Sequence, residues 1–100
     1  MALFIFIGHD VVDSINKRQT TRPKHLSRLA DLQSEGRLHF AGFMPSEHCL
    51  PPYPCITGSA IIADFVDIDA ARAWADAEPY LLEGVYSHIE AVSYTHLTLP

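Results

Sequence analysis

The chain has 100 residues, of which 48% are hydrophobic, and a formal net charge of −5 at pH 7. This length and composition predict a single domain with one hydrophobic core. The negative charge argues against nucleic acid and anionic membranes as partners, since both require a basic surface.

The first residues, MALFIFIGHD, predict a buried β-strand over 2–8, with His9 and Asp10 in the loop that follows. The apolar run has no basic segment before it and no cleavage site after it, and it is too short to span a membrane. Cys49 and Cys55 lack the spacing of a zinc site or a disulfide framework, which predicts free thiols. We therefore expect a cytoplasmic protein.

A long helix is predicted next, with Asp13 or Ser14 as its cap and Gly36 as its stop. Its apolar stripe becomes regular only after Pro23, and a proline inside a helix removes a backbone hydrogen bond. We therefore expect the helix to bend or restart at Pro23. The residues of the stripe are Ile15, Leu26, Leu29 and Leu32.

The rest of the chain is predicted to contain three strands and one helix. The segments are a half-buried strand in GRLHFAG, a Pro-rich loop over 44–57, a strand in GSAIIADF, a helix in DAARAWADAE and a strand in EGVYSHIEAV. Asp67 or Asp69 is expected to cap the second helix, and Pro79 to end it. The order β-α-β-β-α-β predicts an α+β fold of the ferredoxin-like type.

The last nine residues, VSYTHLTLP, differ in character from the rest of the chain. They lack turn residues, do not continue the strand alternation and resemble the peptide read through a sequencing-library adapter. We therefore predict a single domain over residues 1–91 and a tail over 92–100 that is not native.

His25 is the most informative of the six histidines, because it shares a helical face with Leu29 and Leu32. This spacing predicts that its side chain points toward the sheet. An imidazole in that position can exchange a proton near neutral pH, provided a carboxylate fixes its tautomer. A structural histidine bonded to a backbone carbonyl is the alternative.

Two carboxylates are candidates for the partner of His25. Asp76 and Glu78 stand at the end of the second helix in WADAEPY, where a side chain can reach a neighbouring helix. Negative charge is unfavourable at a helix C-terminus. Solvated side chains without a role are the alternative for both residues.

The other candidates are groups that could bind an anionic ligand. Arg22 precedes Pro23 and is expected to leave the regular stripe, where it could clamp a carboxylate or phenolate, or pair with Glu78. Tyr80, Tyr86 and Ser59 could donate hydrogen bonds to the ligand. The remaining cations of the helix are expected to form a solvated face: Lys17, Arg18, Lys24 and Arg28.

Several chemistries are not indicated. The sequence has no G-x-S-x-G elbow, no glycine-rich phosphate loop and no histidines at metal-ligand spacing, and His48 is an isolated loop residue. We therefore expect neither a metal nor a cofactor.

Taken together, these segments resemble the YciI-like family of small proteins with the dimeric α+β barrel fold. The resemblance is carried by DSINKRQTTRPKHLSRLADLQSEGRLHFAG, by GSAIIADFVDIDAARAWADAEPY and by EGVY. It implies a homodimer of ferredoxin-like protomers, with a small-molecule pocket between sheet and helices. It also implies a histidine–aspartate pair, whose histidine falls on His25 and whose aspartate falls on Glu78, one methylene longer.

The same resemblance implies what the pocket could do. Relatives with an assigned reaction remove hydrogen halide from hydroxylated, halogenated rings, and the wider fold includes muconolactone isomerases. The expected function is therefore that of a lyase or isomerase, with His25 as the acid–base group and Glu78 or Asp76 as its partner. A non-catalytic ligand-binding or structural module is the alternative. Haem, bound elsewhere in the wider fold, would need a larger cavity than we expect here.

Overall fold

A computed structural model of the protein describes residues 1–95. The elements are β1 (Ala2–Asp10), α1 (Ile15–Ser34), β2 (Leu38–Pro45), β3 (Ile56–Phe65), α2 (Ile68–Asp76), α3 (Pro79–Leu82) and β4 (Tyr86–Ser93). The strands form one antiparallel sheet in the order β2-β3-β1-β4. Apart from the single turn of α3, this is the predicted β-α-β-β-α-β order, and the α+β prediction is confirmed.

The core lies between one face of the sheet and the helices. Phe4 and Phe6 of β1 are buried there, because alternate side chains of a strand point to the same face. The phenyl ring of Phe6 packs against the aromatic rings of Phe65 and Trp74, at centroid distances of 5.4 and 5.0 Å. The helices contribute Leu29, Leu32, Ala71 and Ala75.

The other face of the sheet is also apolar. Ile5 of β1 lies opposite Ile62 of β3 on one side and Val92 of β4 on the other. Phe40 of β2 pairs with Ile62 in turn. Phe40 is 56% exposed and Val92 is 45% exposed. We call this surface the open face.

Helix α1 is continuous through Pro23, so the predicted restart there is wrong. The proline removes one backbone hydrogen bond, but the helix is stabilised by an inward face that begins well before it. Arg18 and Thr21 lie on this face ahead of His25 and are buried. The sequence prediction missed this first half because its inward residues are polar. Gly36 follows the helix in the left-handed conformation, with φ of 71°, as expected for a stop.

The second predicted helix ends two residues earlier than expected, and a further helical turn follows it. Asp67 caps α2 as predicted, because its Oδ1 accepts a hydrogen bond from the Ala70 amide at 2.8 Å. The helix ends at Asp76, and Pro79 starts α3. None of the helices in residues 1–95 is long and apolar enough to cross a membrane.

The Pro-rich loop is shorter than predicted and contains a disulfide. Strand β2 extends to Pro45 and strand β3 begins at Ile56, so the loop that connects them covers only 46–55. Cys49 and Cys55 are joined in this loop, with a Cα–Cα distance of 6.2 Å. The prediction of free thiols is therefore wrong, because turns in the loop bring the two cysteines within disulfide range, which linear spacing does not reveal.

Strand β4 continues into the segment predicted to be foreign. Val92 pairs with Ile5 and Ser93 pairs with Phe4, and the Tyr94 amide donates to the Leu3 carbonyl. The domain boundary predicted after residue 91 thus falls inside a strand. That the tail is not native stays a prediction, and residues 96–100 lie outside the described residues.

Candidate functional site

His25 and Glu78 form a buried pair although 53 residues separate them in the sequence. The Nδ1 atom of His25 lies 2.5 Å from Oε1 of Glu78. Glu78 is completely buried, and His25 is only 7% exposed. Because Nδ1 is occupied by the carboxylate, Nε2 is the ring nitrogen left for another partner, and within residues 1–95 it makes no hydrogen bond.

The turn between α2 and α3 places Glu78 against α1. Glu78 is the N-cap of α3, and its Oε1 also accepts from the Tyr80 amide at 3.4 Å. Pro79 occupies the first position of α3, where its missing N–H costs nothing. The same turn brings the Tyr80 ring parallel to the His25 imidazole, at a centroid distance of 4.0 Å. One short segment therefore supplies both the carboxylate and the stacking ring.

Arg28 is the second partner of Glu78, which corrects the prediction that it lies on a solvated face. Its Nη1 is 3.1 Å from Oε2 of Glu78, and its Nη2 donates to the Trp74 carbonyl at 2.9 Å. The guanidinium also lies over the Trp74 ring, 4.4 Å from its centroid. Lys24, by contrast, is exposed as predicted.

Asp76 and Arg22, which were predicted as possible partners of His25 and Glu78, form no hydrogen bond or ion pair with these two residues. Asp76 is exposed and lines a separate cavity next to β4, so the structure does not bring it to His25. Arg22 does not pair with Glu78. Its guanidinium makes no ion pair or hydrogen bond within residues 1–95, and it lies on the wall of the cavity that His25 lines.

This cavity has a volume of about 300 Å³ and lies between α1 and strands β2 and β3. Five polar residues line it, of which four were predicted as site residues and one, Arg18, was not. Leu26, Phe43 and Ile61 are among its apolar walls. The polar lining consists of Arg18, Arg22, His25, Ser59 and Tyr80.

Arg18 is buried in the wall of the cavity, so the prediction that it belongs to a solvated face is wrong. Its Nε and Nη2 donate to the two carboxylate oxygens of Asp10 at 2.6 and 2.8 Å, and Nη2 also donates to Ser59 Oγ at 2.8 Å. Asp10 belongs to β1, so its prediction as a loop residue is wrong, as it is for His9. Burial lowers the pKa of Arg18, but the hydrogen bond and charge of Asp10, together with the nearby Tyr86 and Tyr80, raise it above its usual value.

The two tyrosines differ in their relation to the cavity. Tyr80 lines it, and burial raises the pKa of its phenol despite the nearby Arg18. Tyr86 does not line it. Burial also raises the pKa of Tyr86, although the nearby Ser59 hydroxyl and Arg18 lower it, and within residues 1–95 no group meets hydrogen-bond geometry at its phenol oxygen. The Tyr86 ring covers Gly8 so closely that a Cβ there would lie 2.4 Å from Cζ, so this position requires glycine.

Replacing Tyr86 by phenylalanine is expected to leave the free energy of unfolding unchanged or to raise it by up to about 1 kcal/mol, because a buried hydroxyl without a partner is removed. Urea denaturation measures this. As a control, Ser59→Ala leaves one buried N–H of Arg18 Nη2 without its acceptor, although Nη2 keeps its bond to Asp10, and should lower the free energy of unfolding by about 2 kcal/mol. A loss of that size in Tyr86→Phe would show that the hydroxyl has a partner.

The sequence contains an indication that Arg18 and Arg28, which were predicted to be solvated, belong to the site. Arg18 precedes His25 by seven positions and Arg28 follows it by three, so all three share one side of α1. Arginine is seldom buried unless it is paired, which favoured the solvated interpretation. The partners that bury them, Asp10 and Glu78, belong to other elements, and their positions follow from the topology.

These features define the class: a small α+β protein of the dimeric α+β barrel fold, with a buried histidine–glutamate pair beside one cavity. The chain belongs to the YCII-related domain family, whose model matches residues 2–95. The predicted resemblance to YciI-like proteins is thereby confirmed.

The sequences of two relatives align with most of the chain. Protein YciI of Escherichia coli O6:H1 is 47% identical over 88 residues, covering 87% of this chain and 90% of its own length. An uncharacterized protein of Haemophilus influenzae is 37% identical over 87 residues, covering 86% and 89%. Among solved structures, the 5-chloro-2-hydroxyhydroquinone dehydrochlorinase of Burkholderia phenoliruptrix superposes with a TM-score of 0.82 over 94% of both chains, at 19% identity. At that identity the likeness shows the fold alone.

Proposed function

We propose that the protein is a cofactor-free acid–base enzyme in which Nε2 of His25 exchanges a proton with a small molecule bound in the cavity. One observation carries this proposal. A fully buried carboxylate occupies Nδ1 of an imidazole that lines a cavity, while Nε2 makes no hydrogen bond within residues 1–95. Glu78 thus selects the tautomer that carries its proton on Nδ1, which leaves the Nε2 lone pair for the substrate.

The charges around the cavity favour an anionic substrate. Arg22 contributes a cation with no partner in the described part of the chain. Ser59 and the paired Arg18 form the polar wall. A guanidinium recognises carboxylates and phenolates through two parallel hydrogen bonds. Arg22 therefore binds the negatively charged oxygen, with Ser59 and Tyr80 as further donors. Tyr86 does not line the cavity, and its ring centroid lies 5.9 Å from the guanidinium carbon of Arg18 in the cavity wall.

The size of the cavity favours a molecule with a single ring. A volume of about 300 Å³ is at the lower end of the range for small-molecule sites, and the side walls include Leu26 and Phe43. The structural neighbour is named for removing chloride from a hydroxylated ring and was solved with 2,5-dihydroxybenzoquinone. We assign the same class of reaction to this chain. Isomerisation of a lactone would use the same nitrogen to move a proton between carbons.

For a hydroxylated chloroarene, His25 acts first as a base and then as an acid. Nε2 accepts the proton of a ring hydroxyl and delivers a proton to the carbon that bears chlorine, as the O–H electron pair moves into the ring. The C–Cl bond then breaks, and its electron pair leaves with chloride. A second hydroxyl proton is released, so the ring loses HCl and becomes a quinone without any external oxidant.

The open face supports the homodimer that the resemblance implies. Phe40 is a large apolar side chain exposed on it, and it pairs with Ile62, which lies opposite Ile5. Such surfaces mark protein interfaces, and two sheets can pack face to face through them. The partner in this proposal is a second copy of the chain. The cytoplasmic location stays a prediction.

The proposal is tested with the intact chain and two compounds. Release of chloride from 5-chloro-2-hydroxyhydroquinone, and binding of 2,5-dihydroxybenzoquinone by calorimetry, are the expected results. Arg22→Gln should weaken binding roughly tenfold, because a hydrogen bond to a charged group is lost. Arg72→Gln, which changes an exposed arginine of α2, should not. Binding without turnover would support a ligand-binding module, and failure of both measurements would contradict this substrate class.

A further inference from the structure

Glu78 is shared between two cationic side chains of different character. Its Oε1 accepts from Nδ1 of His25, and its Oε2 accepts from Nη1 of Arg28. A carboxylate without solvent exposure needs a compensating positive charge. The guanidinium of Arg28 is always charged, whereas the imidazole is charged only when it holds two protons.

Arg28 is fixed in its place. Its Nη2 donates a hydrogen bond to the Trp74 carbonyl, and its guanidinium carbon lies 4.4 Å from the centroid of the Trp74 ring. Its side chain is 23% exposed, so it closes the outer side of Glu78 while His25 closes the inner side. The carboxylate is therefore compensated even when His25 carries a single proton.

From this arrangement we infer that Arg28 is a positioning residue that allows His25 to remain a base. This inference rests on the proposed function of His25. Without the guanidinium, the imidazole would be the remaining group able to compensate Glu78, and it would hold its second proton to higher pH. A doubly protonated imidazole has no lone pair on Nε2 and cannot accept a proton from a substrate.

The other charged and titratable groups near His25 leave this role to Arg28. On α1, Arg18 is paired with Asp10, and Arg22 points to the cavity without an ion pair in residues 1–95. Lys24 is exposed and lies 3.5 Å from Glu83. From α3, Tyr80 presents its ring face. From β3, the cavity receives the uncharged Ser59.

The test follows the protonation of His25 by NMR in the full-length chain without ligand. Long-range ¹H–¹⁵N spectra report both ring nitrogens, and the signals of His25 are identified by their loss in His25→Gln. In Arg28→Gln, which keeps a hydrogen-bonding amide but removes the charge, we expect the second proton to be taken up about one pH unit higher than in the unchanged protein. Arg28→Lys keeps the charge and should restore the original behaviour.

Three results would overturn the inference. They are unchanged proton uptake by His25 in folded Arg28→Gln, an equal change in Arg28→Lys, and an equal change in the control Arg72→Gln. If Arg28→Gln does not fold, Arg28→Lys can still overturn the inference, because a shift there would exclude charge as the cause. No substrate is involved, so this experiment can fail while the catalytic role of His25 stands.

Discussion

Replacing Glu78 by glutamine is expected to lower the free energy of unfolding at pH 7 by about 3 kcal/mol. The carboxylate is completely buried and holds both His25 and Arg28. An amide keeps the shape but removes the negative charge, which leaves the guanidinium of Arg28 without its counter-ion. Arg28 is 23% exposed, and water screens part of this loss, so we expect the lower end of the range for broken buried pairs.

Urea denaturation of Glu78→Gln and of Asp76→Asn measures this difference. Asp76 is a matched control, because it is a carboxylate two positions away in the sequence but is exposed. Its substitution should change the free energy of unfolding by no more than about 0.5 kcal/mol. Equal effects of the two substitutions would mean that the pair with His25 contributes nothing beyond an ordinary surface charge.

The pattern of apolar residues was sufficient to predict the order of the elements. Strands β1 and β3 are nearly continuous apolar runs, and the inward direction of His25 follows from Leu29 and Leu32 on the same side of α1. Glu78 was predicted as one of two partners. Its selection over Asp76 depends on the turn at Pro79, which directs Glu78 inward and leaves Asp76 in solvent.

Features that depend on contacts between distant segments could not be predicted. Arg18 is buried because Asp10 lies on the neighbouring strand, and no spacing within α1 shows that. The disulfide depends on how the loop over 46–55 turns. The continuity of α1 at Pro23 depends on packing of its buried face, which outweighs the local cost of proline.

Helix α1 supplies three arginines with different surroundings. Arg18 is buried and paired with Asp10, Arg28 closes the outer side of Glu78, and Arg22 lies on the cavity wall without an ion pair in residues 1–95. The first two are committed to carboxylates of the protein itself. The charge available to a ligand is therefore that of Arg22, which is why the proposed substrate is an anion.

Replacing His25 by glutamine is expected to lower the rate of chloride release from 5-chloro-2-hydroxyhydroquinone by about 10²- to 10⁴-fold, the usual contribution of a general acid–base group. The amide of glutamine can still donate to Oε1 of Glu78, and Arg28 still compensates its charge. The chain should therefore fold, and binding of 2,5-dihydroxybenzoquinone should fall by less than tenfold. What is lost is the atom that accepts the proton.

The matched control is His48→Gln, because His48 lies in the loop with 89% of its side chain exposed. It should keep the turnover of the unchanged protein. Thermal melting and calorimetry on both variants separate loss of the base from loss of the fold or of the cavity. Undiminished turnover in folded His25→Gln would rule out His25 as the base and would reduce its pair with Glu78 to a structural link between α1 and α3. A large loss of turnover with binding retained assigns proton transfer to the His25 side chain, because binding and folding survive while the chemical step does not.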